Sequence, residues 1–212
     1  MIFYISDGRL GNQLFQYAFL NSLAKNNEKV IVINMRDFIQ SVDYNKKRFK
    51  TINPNKYGIL LFKKLIKPII YHFFVRFKFV GYVKQRRKNI TALPSFEKHK
   101  GYFPITLVES NFFQSEEFFN SESVDFVIKT IYINRARDFL ANIPEGYTKV
   151  FVHVRHGDYL CESYLDKKGI NLPKSYFDSA IFKIKQELQN PYFVFLSDDP
   201  DYVKYAFEKI NN

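Results

Sequence analysis

Two short apolar runs without polar alternation frame the start of the chain, "IFYIS" over residues 2–6 and "KVIVINM" over 29–35. Between them lie the glycine-punctuated "DGRLG" and then "NQLFQYAFLNSLAKN". In the latter, Leu10, Leu14, Tyr17, Ala18 and Ala24 keep helical spacing and Asn21 interrupts the stripe. Strand, glycine loop, helix and strand in that order make a βαβ unit. A strand with apolar side chains on both faces must be covered on both, which predicts a parallel sheet between helical layers. The fold class is therefore α/β.

The same order returns near the end. Residues 150–154 read as an apolar strand running into "RHGDYL". A helix is expected over about 174–189, a strand over 192–196, then the loop "SDDPD" and a closing helix over 202–209. The connection "ANIPEGYTK", with Pro144 and Gly146, separates the two blocks. The expected organisation is an N-terminal α/β domain over 1–146 with a basic insertion at 44–100, followed over 147–212 by the opening part of a second Rossmann-like domain. One or two parallel strands make a poor sheet by themselves, so this second domain reads as incomplete. Between the blocks, a strand is expected over 105–108, a helix around 115–120 and another over 121–140.

The net charge of +11 is concentrated, because residues 44–100 contain 16 basic side chains and one acid, Glu97. Such a field attracts polyanions, with nucleic acid and anionic lipid head groups as the usual partners; the plainer reading is a solvated lysine-rich surface. No nucleic-acid-binding signature accompanies it, so nucleic acid is not an expected partner. Within the segment, Phe62, Leu65, Ile66, Ile69, Ile70 and Phe73 form one helical stripe with Lys63, Lys64, Lys67 and Arg76 off it, and Pro68 is expected to divide it into two short helices. A stripe of this kind either packs into a core or lies in a membrane interface. The longest uncharged apolar run there, 68–75, falls far short of the ~20 residues that cross a bilayer. A single cysteine, Cys161, permits no internal disulfide, and the first residues lack a signal-peptide pattern. A cytoplasmic protein is expected, with the basic segment as a route to peripheral contact with the inner face of an anionic membrane.

Ligands of open α/β sheets bind beyond the carboxyl ends of the strands. Both polar clusters lie there: His153, Arg155, His156 and Asp158 after the first strand, Asp198 and Asp199 after the second. The planar fork of Arg155 suits a pair of phosphate oxygens, and a charge-assisted bond from it is worth about 1.5–3 kcal/mol. Structural readings stand beside this one. Arg155 and Asp158 could pair with each other, His153 could be a satisfied core histidine, and Ser197 or Asp199 could cap a helix that Pro200 begins. The loop over 7–11 lacks a full G-x-G-x-x-G, which makes its dinucleotide reading weak, though a glycine-lined loop also lets backbone approach a sugar or phosphate. The histidines are not spaced as a metal site, and no nucleophile elbow is present.

Five strings together, "GRLGNQLFQYAF", "NFFQSEEFF", "VHVRHGDYL", "LPKSYFDSAI" and "FLSDDPDYVK", resemble in order and spacing the α-1,2-fucosyltransferases of glycosyltransferase family 11. The resemblance implies a GT-B architecture of two Rossmann-like domains and a metal-independent, inverting transfer of fucose to the 2-OH of a terminal galactose on a glycan. It also implies GDP-fucose as donor substrate and no separate cofactor. Arg155 would hold the donor diphosphate and stabilise it as it leaves, His153 with Asp198 or Asp199 would contact guanine, and Gly11 and Asn12 of the glycine loop would belong to the donor site. Asp158 is the candidate general base. Family members read H-x-R-R-G-D, whereas His156 stands in place of the second Arg; a neutral imidazole there would weaken diphosphate binding. The family's later tryptophan-containing string is missing, in keeping with a chain that has no Trp, so a shortened and possibly inactive enzyme is one expectation. The rival is a non-enzymatic basic protein that binds membranes or polyanions.

Overall fold

A computed structural model describes residues 1–25, 27–86, 93–161, 163–164 and 167–210. Of the basic segment, Arg87 and Lys88 lie outside the described residues. The chain divides into two compact units, Met1–Asn134 and Arg135–Asn212.

In chain order the first unit contains β1 (Ile2–Ile5), α1 (Leu10–Leu23), β2 (Val30–Ile33), α2 (Arg36–Ser41), β3 (Val42–Asp43), β4 (Phe49–Ile52), α3 (Lys56–Leu61), α4 (Lys67–Ile69), β5 (Gly81–Arg86), β6 (Ser95–His99), β7 (Thr106–Val108) and β8 (Val127–Ile128), with α5 (Thr130–Ala141) crossing the division. The described residues form a six-stranded sheet in the order β4-β2-β1-β7-β5-β6. Every pairing in it is parallel except β5 with β6. The predicted βαβ unit is present, with Ile2 opposite Val30 and Ile5 opposite Ile33. Strand alternation assigns the two faces. Ile2, Tyr4, Val30 and Val32 pack in one buried cluster with Tyr17, Phe19 and Leu20 of α1. Phe3, Ile5, Ile31 and Ile33 face the other way, toward Phe62, Ile70 and Phe74, across an almost wholly apolar cavity of about 450 Å³.

Aromatic packing fixes the first core. The Tyr17 ring lies 4.6 Å from Phe38 and 4.4 Å from Phe49, and Phe19 stacks on Phe113 at 3.9 Å. Burying one such side chain contributes about 1.5–3 kcal/mol. Asn21, the break in the predicted stripe, is buried too: its amide donates to the Ser123 carbonyl at 3.0 Å and accepts from Arg48 Nη1 at 2.8 Å. One of the basic residues of 44–100 thus serves as a structural clamp.

Three expectations need correction. First, Pro68 does not divide the helical stripe. The chain stays helical from α3 through a π-helical turn (Phe62–Ile66), α4 and a second π-helical turn (Ile70–Val75). The wider turn, in which the Lys67 N–H reaches back to the Phe62 carbonyl, gives the proline ring the room that a regular α-turn denies it. Second, the helices expected around 115–120 and over 121–140 are not formed as such. Ser115 and Asn120 accept hydrogen bonds from Glu117 N and Ser123 N, closing two 3₁₀ turns (Glu116–Phe118 and Ser121–Ser123), and helix proper begins only at Thr130. Short polar side chains bonding to their own backbone compete with helix, as the composition there allowed. Third, β4, β5 and β6 fall in the basic insertion, where no strand was expected; β6 is a polar edge strand whose charges leave no apolar pattern.

In the second unit, β9 (Thr148–Val154) pairs in parallel with β12 (Pro191–Ser197), Val154 opposite Ser197. A short antiparallel pair, β10 (Ser163–Tyr164) and β11 (Lys167–Lys168), lies in the loop between them. Helices α6 (Lys174–Glu187) and α7 (Pro200–Phe207) supply Phe177, Ile181 and Phe207 to a core with Val154 and Phe193. Phe151 and Leu196 point away from that core and are half-exposed.

Candidate functional site

The carboxyl ends of β9 and β12 coincide in register, so the residues that follow them are brought together. Arg155 donates from Nε to Asp158 Oδ1 at 2.7 Å and from Nη2 to Asp158 Oδ2 at 2.5 Å, a two-pronged pairing. Asp198 Oδ2 lies 3.3 Å from Arg155 Nε. The Arg155 side chain is 30% exposed. Pairing with Asp158 raises the Arg155 pKa still further above its ordinary value.

The two aspartates after β12 have separate tasks. Asp198 Oδ1 accepts from the backbone N–H of His156 at 2.9 Å and of Gly157 at 3.3 Å, closing the loop after β9 onto the end of β12. The His156 N–H is the main reason its carboxyl titrates near 2; burial works the other way, and Gly157 and Arg155 lower it further. Asp199 caps α7, accepting from Tyr202 N at 3.1 Å, while Ser197 Oγ accepts from Asp199 N at 2.9 Å. Pro200 follows at the first helical position, as expected.

His156 takes no exposed stance. Its Nδ1 is 2.9 Å from Asp199 Oδ2, and its ring stacks flat on Tyr202 at 3.7 Å. The bond from the imidazole holds the Asp199 carboxyl below the usual range. Only the backbone of His156 faces Asp198. His153 lies on β9 opposite Leu196, exposed on the same face as Phe151. Arg155, His156, Asp158, Asp198 and Asp199 therefore form one cluster, and His153 stands beside it on the uncovered face of the strand pair.

Gly11 and Asn12 belong to the first unit, in the first turn of α1. No atom lies within 4 Å of where a Gly11 side chain would start, while Asn12 Oδ1 accepts from Gln114 Nε2 at 2.6 Å. The glycine that matters for the loop is Gly8, at φ +79°, where a Cβ would lie 2.2 Å from Asn12 Nδ2. The loop is set by two side chains the sequence reading passed over. Gln16 Nε2 donates to the Asp7 carbonyl at 2.8 Å and its Oε1 accepts from Ser6 Oγ at 2.6 Å. Gln13 Nε2 donates to the Gly8 carbonyl at 2.9 Å and its Oε1 accepts from Phe38 N at 2.8 Å. Their three-residue spacing within α1 was the available signal. Gly8, Gln13, Asn34, Arg36, Asp37 and Lys56 line a polar cavity of about 290 Å³.

The signature of the family "Glycosyl transferase family 11" matches residues 2–212. The chain belongs to that family. Both the glycine loop and the Arg155 cluster fall inside the matched region. Over 204 residues the chain is 26% identical to an alpha-1,2-colitosyltransferase of Escherichia coli, covering 93% of this chain and 68% of that protein. No solved structure matches significantly. As a member of glycosyl transferase family 11, the chain is a glycosyltransferase, with a nucleotide sugar as donor and a glycan as acceptor.

Proposed function

We propose that this family 11 protein transfers fucose from GDP-fucose to the 2-OH of a terminal galactose, with inversion and without a metal or separate cofactor. The second unit holds the donor and the first the acceptor, in a GT-B arrangement. The observation that carries this reading is the partly exposed Arg155 fork at the joint carboxyl ends of two parallel strands. The polar cavity beside Gly8 supports the acceptor side.

Charge dictates how a diphosphate would enter. Two carboxylates, Asp158 and Asp198, flank one guanidinium; Asp198 also accepts from the backbone N–H groups of His156 and Gly157, and Asp199 from Tyr202 N beside the imidazole of His156. The diphosphate exchanges with Asp158 on Arg155. An ion-paired carboxylate is a weak base; freed by the donor, Asp158 takes the proton of the attacking hydroxyl. The galactose oxygen bonds the anomeric carbon as the bond to the phosphate oxygen breaks, and GDP departs with its new charge on Arg155. His153 with Asp198 or Asp199 contacts guanine.

The Escherichia coli relative is a colitosyltransferase, which makes a colitosyl nucleotide the competing donor. Thermal unfolding with GDP, followed by turnover with GDP-fucose beside a colitosyl nucleotide and assignment of the product linkage, tests the reading. GDP should raise the melting temperature of the protein and leave Arg155→Ala unmoved. A folded protein indifferent to GDP, or an Arg155→Ala variant protected as well as the parent, would overturn the donor site.

A further inference from the structure

The helical stretch over 56–77 has two unlike sides. Phe62, Ile70 and Phe74 turn inward onto the apolar cavity above the sheet. Leu61, Leu65, Ile69, Phe73 and Phe77 recur at every fourth position, and each is between 53% and 62% exposed. In an α-helix a step of four overshoots the turn by about 40°, so such a series winds around the axis. The two π-helical turns absorb part of that overshoot, which keeps the series in one ridge. None of the ridge is buried by the unit that carries it.

Around the ridge stand Lys56, Lys64, Arg76 and Lys78, all exposed, and residues 44–96 contain no acid. An apolar ridge framed by cations, on a helix too short to cross a membrane, matches a surface that lies in a lipid interface. We propose that this ridge docks on an anionic lipid bilayer, its aliphatic and phenyl side chains entering the head-group boundary and its lysines meeting the lipid phosphates. Charge decides between this occupant and another copy of the chain. Pairing two ridges would bring two segments of like charge face to face, whereas an anionic bilayer complements the excess. Lys63 and Lys67 keep the ridge in place from behind: Lys63 Nζ is 3.0 Å from Asp7 Oδ2 and Lys67 Nζ is 3.4 Å from Ser110 Oγ.

The chain contains no tryptophan, so Phe73→Trp gives a single optical reporter at an exposed ridge position. Vesicles of phosphatidylcholine mixed with phosphatidylglycerol should shift its emission to the blue and carry the protein up in flotation, whereas phosphatidylcholine alone should do neither. Removing Lys64 or Lys78 by exchange for Gln should weaken partitioning about fivefold each. Leu65→Ser with Ile69→Ser should reduce it more than tenfold with the melting temperature unchanged, since both side chains are already exposed. Emission that ignores anionic vesicles overturns the proposal. So does emission that is blue in buffer, which would mean protein already covers the ridge; a dependence on protein concentration would then identify a second copy.

Discussion

Gln16 illustrates how much one buried amide can hold. It is wholly inaccessible and joins the end of β1 to the glycine loop through Ser6 and Asp7. Gln16→Leu leaves both partners unpaired, and we expect a loss of about 1–3 kcal/mol in urea unfolding. Asp158 separates binding from chemistry. Asp158→Asn weakens the competitor for the Arg155 fork, so GDP should bind tighter while kcat falls by about 10²-fold or more; a mere loss of loop structure would weaken both. Asp198 gives a pH signature. Its carboxyl is lowered from 3.8 to about 2, so its stabilising contribution is complete above pH 3.8 and disappears as pH falls toward 2. Asp198→Asn should therefore flatten the acid limb of the stability profile within that window. That Arg155, Asp198 and Asp199 come together was legible in the sequence because each stands just past one of two apolar strands. Gln13, Gln16 and Asn21 were not, because a polar residue on a helix looks solvated until its neighbours are known.

Among elements, the outer βαβ units were readable and the middle was not. β1, β2 and the middle of β12 are apolar on both faces, a pattern few alternatives share, and β9 keeps an apolar run over 150–152. β5 and β6 carry Lys84, Arg86 and Lys98 in an antiparallel edge pair, where pairing rather than apolar burial sustains the strand. The stripe over 62–73 was found, but no periodicity shows that half of it faces a cavity and half faces outward. Its proline can be tested directly. Pro68→Ala restores an N–H donor and removes the ring, so the π-helical turns should tighten, with slower amide exchange over 66–72 by hydrogen-exchange mass spectrometry. Unchanged exchange there would mean the sheet below, not the proline, sets the wide turns.

At the scale of the molecule, the two units differ in how their sheets are protected. β1 and β2 lie inside a six-stranded sheet with a large core on one side. β9 and β12 form a two-stranded pair with a small core and an open opposite face. Amides of β9 and β12 should accordingly exchange faster than those of β1 and β2 by a wide margin, as nuclear magnetic resonance would register. The α/β class could be read from the sequence as a whole because four strands announced it, while the division within α5 could not, since that helix runs through it without a break in pattern. Each strand of the β9–β12 pair also presents a row of backbone donors and acceptors along its outer margin, flanked by Phe151 and Leu196. The practical outcome is colloidal: concentrated solutions of this chain should grow clusters by strand annexation, visible as rising light scattering, and short peptides copying β12 should poison that growth at its tips.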